Sequence, residues 1–159
     1  MPGLEDLYRE IILDHYKNPR NAGSLEAPPA RKAEGYNPLC GDEIAVYVQS
    51  DGKEISDIKM HCQGCSISRS SASLMTVSVK GKSVKEAREV IQTFKGLMSL
   101  HEQSMAPEAE DAAEVDLRKL GELAALQGVV KFPVRIKCAT LAWNTLTQIL
   151  DEIEAASLN

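Results

Sequence analysis

The chain has 159 residues, of which 43% are hydrophobic and 26% charged, and its formal net charge is −5. This composition is that of an ordinary globular protein, excludes disordered and collagen-like classes, and favours a single domain over residues 1–159. An acidic chain without a block of basic residues binds a phosphate backbone poorly, so we expect no nucleic-acid partner. We also expect no membrane span, because no stretch approaches the roughly 18 uncharged, apolar residues that a span requires.

The N-terminal half predicts one helix followed by strands. Apolar residues recur at three- and four-residue steps over residues 4–16, which is typical of an amphipathic helix. Residues 19–39 contain four prolines and two glycines and predict mostly loop, with at most a short edge strand. Strand-like runs at residues 44–48 and 55–60 are joined across Asp51-Gly52, a dipeptide suited to a tight hairpin.

The C-terminal half predicts helices separated by an acidic segment. A serine-rich run after residue 65 predicts a helix, and a capping-box spacing predicts another helix from residue 83 to about residue 99. Residues 101–116 are rich in acids without a Lys or Arg and predict an acidic surface insertion. A short helix at residues 117–126, a break at Pro133 and a helix from Cys138 to Ile153 are expected to follow.

Four free cysteines, Cys40, Cys62, Cys65 and Cys138, are the most informative residues of the chain. The N-terminus carries acids where a secretory signal has a basic flank and an apolar core, so we expect a cytoplasmic protein. In a reducing compartment, cysteines are more often ligands, nucleophiles or buried small residues than partners in disulfides.

The Cys62-Gln63-Gly64-Cys65 sequence allows three interpretations. It lies between a predicted strand and a predicted helix, the context in which a Cys-x-x-Cys dithiol does redox chemistry. A standard zinc ribbon is disfavoured, because it needs a second such pair and the other two cysteines stand alone. The third interpretation is that free cysteines are simply small, buried apolar residues.

The wider surroundings of the cysteines favour a metal site. Cys40 lies in a turn in which Gly41 frees the backbone and Asp42 can turn toward the same point as the thiolate. Cys65 and Cys138 are each predicted at the start of a helix, where the helix dipole favours thiolate over thiol. Three thiolates and one carboxylate suit a tetrahedral site for zinc or iron, and the carboxylate would be its most exchangeable ligand.

The three histidines are not expected to bind this metal. His61 precedes Cys62 on a strand, so alternation points the two side chains to opposite faces. His15 is expected on the surface or edge of the first helix, and His101 lies in the acidic segment.

Four motifs in order along the chain carry a resemblance to a known family. They are His15-Tyr16 with residues 18–23, the Asn-Pro-Leu-Cys-Gly-Asp sequence of residues 37–42, the serine-rich residues 64–73, and the Pro-Val-Arg-Ile-Lys-Cys-Ala sequence of residues 133–139. With these motifs the chain resembles the iron–sulfur cluster assembly scaffolds of the IscU and NifU N-terminal type, specifically their SufU subgroup. The resemblance covers nearly the whole chain.

The resemblance implies an α+β fold of the SufE/NifU-like kind, in which a small antiparallel β-sheet packs against several α-helices. It implies a site formed by Cys40, Asp42, Cys65 and Cys138, the same four residues that the sequence itself suggests. In such a family a pyridoxal-phosphate (PLP)-dependent cysteine desulfurase supplies sulfur as a persulfide. The scaffold builds a labile [2Fe–2S] cluster and passes it to apo iron–sulfur recipient proteins, and Cys138 is the candidate persulfide acceptor.

Departures from the IscU branch keep a second function open. Lys137 stands where that branch has a histidine, only Pro133-Val134-Arg135 matches its chaperone-binding segment, and residues 99–120 resemble the SufU insertion. In the SufU subgroup, zinc-dependent sulfur transfer competes with scaffolding as the function. A Cys62/Cys65 redox protein and a purely structural zinc module are the further alternatives, and Cys62 is additional to the cysteines of the family.

Overall fold

The computed structural model describes residues 4–27, 29–98 and 121–157, and the predicted acidic segment 101–116 lies outside them. The elements in chain order are helix α1 (Leu4–Lys17), strands β1 (Arg31–Asn37), β2 (Asp42–Ser50) and β3 (Ile55–Gln63), helices α2 (Ser66–Val79) and α3 (Val84–Met98), a 3₁₀ helix (Gly121–Lys131) and helix α4 (Pro133–Ser157). Among these, no helix has the length and apolar character needed to cross a membrane.

The three strands form one antiparallel sheet in the order β1-β2-β3, so β2 is central. The Asp51-Gly52 turn lies between β2 and β3 as predicted, and Gly52 has a positive φ of 100° that suits a glycine. β1 is a seven-residue strand where the sequence predicted mainly loop. Its prolines flank the strand, and exposed Lys32, Glu34 and Tyr36 alternate with less exposed neighbours, which is the pattern of a half-buried strand.

The hydrophobic core lies between one face of the sheet and the helices. Val46 and Ile58 point from the sheet into this core and are fully buried. Trp143 of α4 stacks on Phe94 of α3 with ring centroids 4.2 Å apart. Its indole Nε1–H donates a hydrogen bond of 2.9 Å to the hydroxyl of Ser71 on α2, which satisfies a buried polar group. The α+β prediction is confirmed.

Two predicted helix boundaries are wrong. The last helix begins at Pro133 rather than at Cys138, because proline is well suited to the first helical position, where no backbone N–H is needed. Residues 121–131 form a 3₁₀ helix where the sequence predicted a short α-helix over residues 117–126, of which residues 117–120 lie outside the described part of the chain.

The predicted surface position of His15 is also wrong, since only 2% of the residue is exposed. Its Nδ1 lies 2.7 Å from the hydroxyl of Ser73 on α2, and its Nε2 lies 3.0 Å from a carboxylate oxygen of Glu122. A polar ring can be buried here because the serine-rich helix supplies a polar partner. Ser73 is itself fully buried, so this Ser–His–Glu arrangement ties three elements together instead of facing a substrate.

Candidate metal centre

The hairpin between β1 and β2 places Cys40 and Asp42 at one end of the sheet. Asn37 and Asp42 are the last cross-strand pair, and residues 38–41 form the loop that carries Cys40. Gly41 has a φ of +69°, a conformation that favours glycine, and its N–H donates to the carbonyl of Asn37 at 2.9 Å. The Asn37 side-chain oxygen accepts the N–H of Leu39 at 3.2 Å, which fixes the start of the loop.

Cys65 is the N-cap of α2, as the sequence predicted. Its sulfur accepts the N–H of Ser68 at 3.5 Å, so the thiol side chain lies over the first turn of the helix. Its own N–H donates to Oδ1 of Asp42 at 3.0 Å. The carboxylate of the hairpin is therefore joined directly to the start of this helix.

Cys138 lies in the second turn of α4 and is buried. Its Sγ is 2.8 Å from the Sγ of Cys40 and 3.6 Å from Nδ2 of Asn37. The sequence placed Cys138 at a helix start, where the dipole would favour the thiolate. This expectation is wrong, because five helical residues precede it and the dipole effect is confined to the first turn.

Three of the four sequence-predicted ligands come together in the described part of the chain. One ligand atom each from Cys40, Asp42 and Cys138 lies within 4.8 Å of the other two. Donor atoms around one tetrahedral zinc are roughly 3.8 Å apart when both are thiolates, so this group fits a single ion after the two sulfurs separate by about 1 Å. Cys65 lies outside the group, although its backbone contacts Asp42.

The carboxyl group of Asp42 is buried but remains an anion. Burial alone would raise the pKa of Asp42, yet hydrogen bonds from the Cys65 N–H and from the side chains of Ser68, Cys138 and Asn37 bring this pKa below its usual value. Burial, together with the hydrogen bond to Cys40 and the nearby Asp42, raises the pKa of Cys138. Without a metal ion, the site therefore holds the Asp42 carboxylate next to the protonated thiol of Cys138.

Arg135 is a basic residue that sequence reasoning did not assign to the site, although it interacts with these thiols. The charge of Cys65, followed by a hydrogen bond with Cys138, raises the pKa of the Arg135 guanidinium. Arg135 precedes Cys138 by three residues on α4, and residues three apart lie on one helix face. That spacing is the signal that identifies it, whereas Asn37 and Ser68 are seen only in three dimensions.

Cys62 is placed as a core residue. It is half-buried on β3 and packs against the hydrophobic core, while His61 beside it is exposed on the other face, as predicted. Burial, followed by the charge of Asp42, raises the pKa of Cys62 to about 12. A thiol with such a pKa is a poor nucleophile at neutral pH, and Cys62 lies outside the group of possible metal ligands, whose pKa values a bound ion would lower, which argues against a Cys62/Cys65 redox centre.

Comparison with known proteins identifies the family. The NifU-like N-terminal domain family matches residues 7–139, and the chain belongs to this family. The predicted resemblance is confirmed.

Two curated relatives are similar over most of their length. The chain is 43% identical over 143 residues to the zinc-dependent sulfurtransferase SufU of Bacillus subtilis, covering 90% of this chain and 88% of the relative. It is 40% identical over 147 residues to the iron–sulfur cluster assembly scaffold protein IscU of Streptococcus pyogenes, covering 92% of this chain and 84% of the relative. A crystal structure described as a SUF-system iron–sulfur cluster assembly scaffold from Fervidobacterium islandicum matches with a TM-score of 0.76 and 33% identity, covering 93% and 99%.

Proposed function

We propose that this NifU-like protein accepts sulfur from a PLP-dependent cysteine desulfurase for iron–sulfur cluster assembly, and that Cys138 is the acceptor. Cys40, Asp42, Cys65 and Cys138 are its proposed metal ligands. The observation that carries the proposal is the group of two thiols and one carboxylate, whose ligand atoms lie within 4.8 Å of one another. We place this function in the cytoplasm, where free thiols persist.

The proposed sulfur transfer is an exchange without net oxidation. The Cys138 thiolate attacks the outer, sulfane sulfur of a persulfide on the desulfurase cysteine, and a new S–S bond forms on Cys138. The S–S bond to the desulfurase cysteine breaks, and that cysteine leaves as a thiolate. Arg135 is placed to stabilise the anionic sulfur on Cys138, because the charge of Cys65, followed by the interaction with Cys138, raises the pKa of its guanidinium.

The geometry favours zinc as the resident ion. Cys40, Asp42 and Cys138 can reach one ion once the two sulfurs separate by about 1 Å, whereas the ligands of a two-iron cluster divide between two metal atoms. Cys65 would complete the four ligands by turning its side chain away from the N–H of Ser68, which now donates to its sulfur at 3.5 Å. When bound, zinc keeps thiolates deprotonated near neutral pH. The 43% identity to a protein named for zinc-dependent sulfur transfer supports this form.

The second candidate is a scaffold that carries a labile [2Fe–2S] cluster as its cargo and delivers it to apo recipient proteins. The 40% identity to a protein named as a scaffold and the match to the F. islandicum structure support it. In this form Asp42 is the exchangeable ligand, because a hard carboxylate binds iron less firmly than the soft thiolates do.

Exposed apolar side chains around the site support a protein as the sulfur donor. Leu39 precedes Cys40, and its exposed fraction is 62%. Phe132 and Val134, at the start of α4, are 62% and 58% exposed. Large apolar residues exposed around a reactive group are typical of a protein-docking surface. A desulfurase that brings its persulfide to Cys138 would cover these three residues.

Single-turnover sulfur transfer tests the proposal. The zinc-loaded chain is mixed anaerobically with a persulfide-loaded cysteine desulfurase, the thiols are alkylated, and peptide mass spectrometry locates the added sulfur. We expect it on Cys138 and expect Cys138→Ser to abolish transfer, while the matched variant Cys62→Ser transfers normally. Sulfur on Cys62, or full transfer to Cys138→Ser, would contradict the proposed acceptor.

A further inference from the structure

Asn37 contacts two proposed ligands that come from different parts of the chain. Its Nδ2 lies 3.5 Å from Oδ2 of Asp42 and 3.6 Å from Sγ of Cys138. Asp42 starts β2, whereas Cys138 is on α4, 101 residues after Asn37. The side chain is buried with only 6% of the residue exposed, so water does not compete freely for its amide.

The other end of the same amide is anchored. Its oxygen accepts the N–H of Leu39 at 3.2 Å, and the backbone carbonyl of Asn37 accepts the N–H of Gly41. These two bonds hold Asn37 on the rigid base of the loop that carries Cys40. The amide plane is therefore fixed by the hairpin, and its NH₂ group points at Asp42 and Cys138.

We infer that Asn37 is the positioning residue of this metal centre: its amide holds the carboxylate of Asp42 and the sulfur of Cys138 in place around one ion. The inference rests on the proposed metal-binding function and adds to it a residue that binds no metal itself.

Two properties of an amide suit it to this role. It is neutral, so it donates hydrogen bonds to two electron-rich ligands without competing for the cation. A hydrogen bond to a metal-bound thiolate also withdraws electron density from its sulfur, as partners of metal ligands do elsewhere. Loss of the amide should therefore change both the affinity for the metal and the electronic spectrum of the metal–sulfur bond.

The test uses the full chain loaded with zinc or with cobalt(II), whose sulfur-to-metal charge-transfer band reports on the thiolate. Asn37→Ala removes both donors. Asn37→Ser keeps an oxygen near the N–H of Leu39, but its side chain is too short to reach Asp42 and Cys138. This variant therefore keeps the hydrogen bond that supports the loop and removes only the contacts with the two ligands. Asn18→Ala is the matched control, because its amide also contacts a carboxylate, that of Asp14, on the exposed surface of α1.

We expect both Asn37 variants to weaken zinc binding roughly 10- to 100-fold and to shift the cobalt charge-transfer band to longer wavelength. Asn18→Ala should change neither quantity. If Asn37→Ala does not fold, Asn37→Ser decides the question, with thermal unfolding as the check. If Asn37→Ser binds zinc within about twofold of the affinity of the parent and its cobalt band is unshifted, the inference is overturned while the proposed metal binding stands. A parent chain that binds neither ion would instead overturn the proposed function.

Discussion

Gly64 lies so close to Asp42 that adding one methyl group should disturb the proposed metal centre. A Cβ at position 64 would fall 2.2 Å from Oδ1 and 2.9 Å from Cγ of Asp42, well inside the 3.0 Å that real Cβ atoms keep. In Gly64→Ala the carboxylate must retreat by about 0.8 Å. The hydrogen bond from Cys65 N–H to the same oxygen, now 3.0 Å, would then exceed hydrogen-bonding distance.

The magnitude follows from the lost hydrogen bond. A hydrogen bond to a charged group contributes roughly 1.5–3 kcal/mol, and its loss corresponds to a roughly 10- to 150-fold larger dissociation constant for zinc. Competition with a chromophoric chelator at neutral pH measures this constant. Gly128→Ala is the matched control, since a Cβ there meets nothing within 4 Å.

Thermal unfolding of both variants verifies that each is folded before affinities are compared. Equal zinc affinity of the folded Gly64→Ala variant, the parent and Gly128→Ala would be the result that contradicts this prediction. The close approach of position 64 to the carboxylate would then have no role in holding the ligand.

Three further predictions concern Cys62, the helix junction and the docking surface. In the folded state the pKa of Cys62 is about 12, against 9.0 ordinarily, so above about pH 9 the unfolded chain loses this proton while the folded chain keeps it. The free energy of unfolding of the metal-free protein should therefore fall by up to roughly 1.4 kcal/mol per pH unit above about pH 9 because of this group. Urea titrations at several pH values should show that the free energy of unfolding falls less steeply with pH in Cys62→Ser. The same pH dependence in the parent and in the variant would contradict this prediction. Ser71→Ala leaves the buried indole N–H of Trp143 without its acceptor and should cost about 1–3 kcal/mol by the same measurement; a cost near zero would show that the indole finds another partner. Leu39→Ser should raise the KM for the desulfurase several-fold with little change in kcat. Val77, which is 49% exposed on α2, provides the control, and Val77→Ser should leave this KM unchanged. Equal KM values for the parent and Leu39→Ser would exclude Leu39 from the interface.

The parts of the site that could be predicted from the sequence are local. Cys40 and Asp42 lie two residues apart at one end of a hairpin, and Cys65 caps a helix that is marked by its serines, so neighbouring residues alone determine these positions. The helix of the serine-rich run and the hairpin across Asp51-Gly52 follow from local patterns in the same way.

The errors arise where distant packing decides the structure. Cys138 meets Cys40 across 98 residues, and although donor chemistry and the family resemblance both group the two cysteines, spacing along the chain alone cannot show that they meet. The sequence alone predicts a surface or edge position for His15, because its burial depends on Ser73 and Glu122, which are 58 and 107 residues away. β1 is the short edge strand that the sequence allows within residues 19–39, and the sequence predicts mostly loop there because the flanking prolines outweigh a weak alternation that becomes a strand when paired with β2.

One native mass spectrum tests the central claim most directly. The protein, loaded with zinc, is incubated anaerobically with a cysteine desulfurase, cysteine and ferrous iron, alongside Cys138→Ser. We expect retained zinc with sulfur added to the parent chain, or a two-iron, two-sulfide unit if the scaffold form operates, and neither product in Cys138→Ser. Zinc without added sulfur or cluster on the parent chain would exclude both proposed functions.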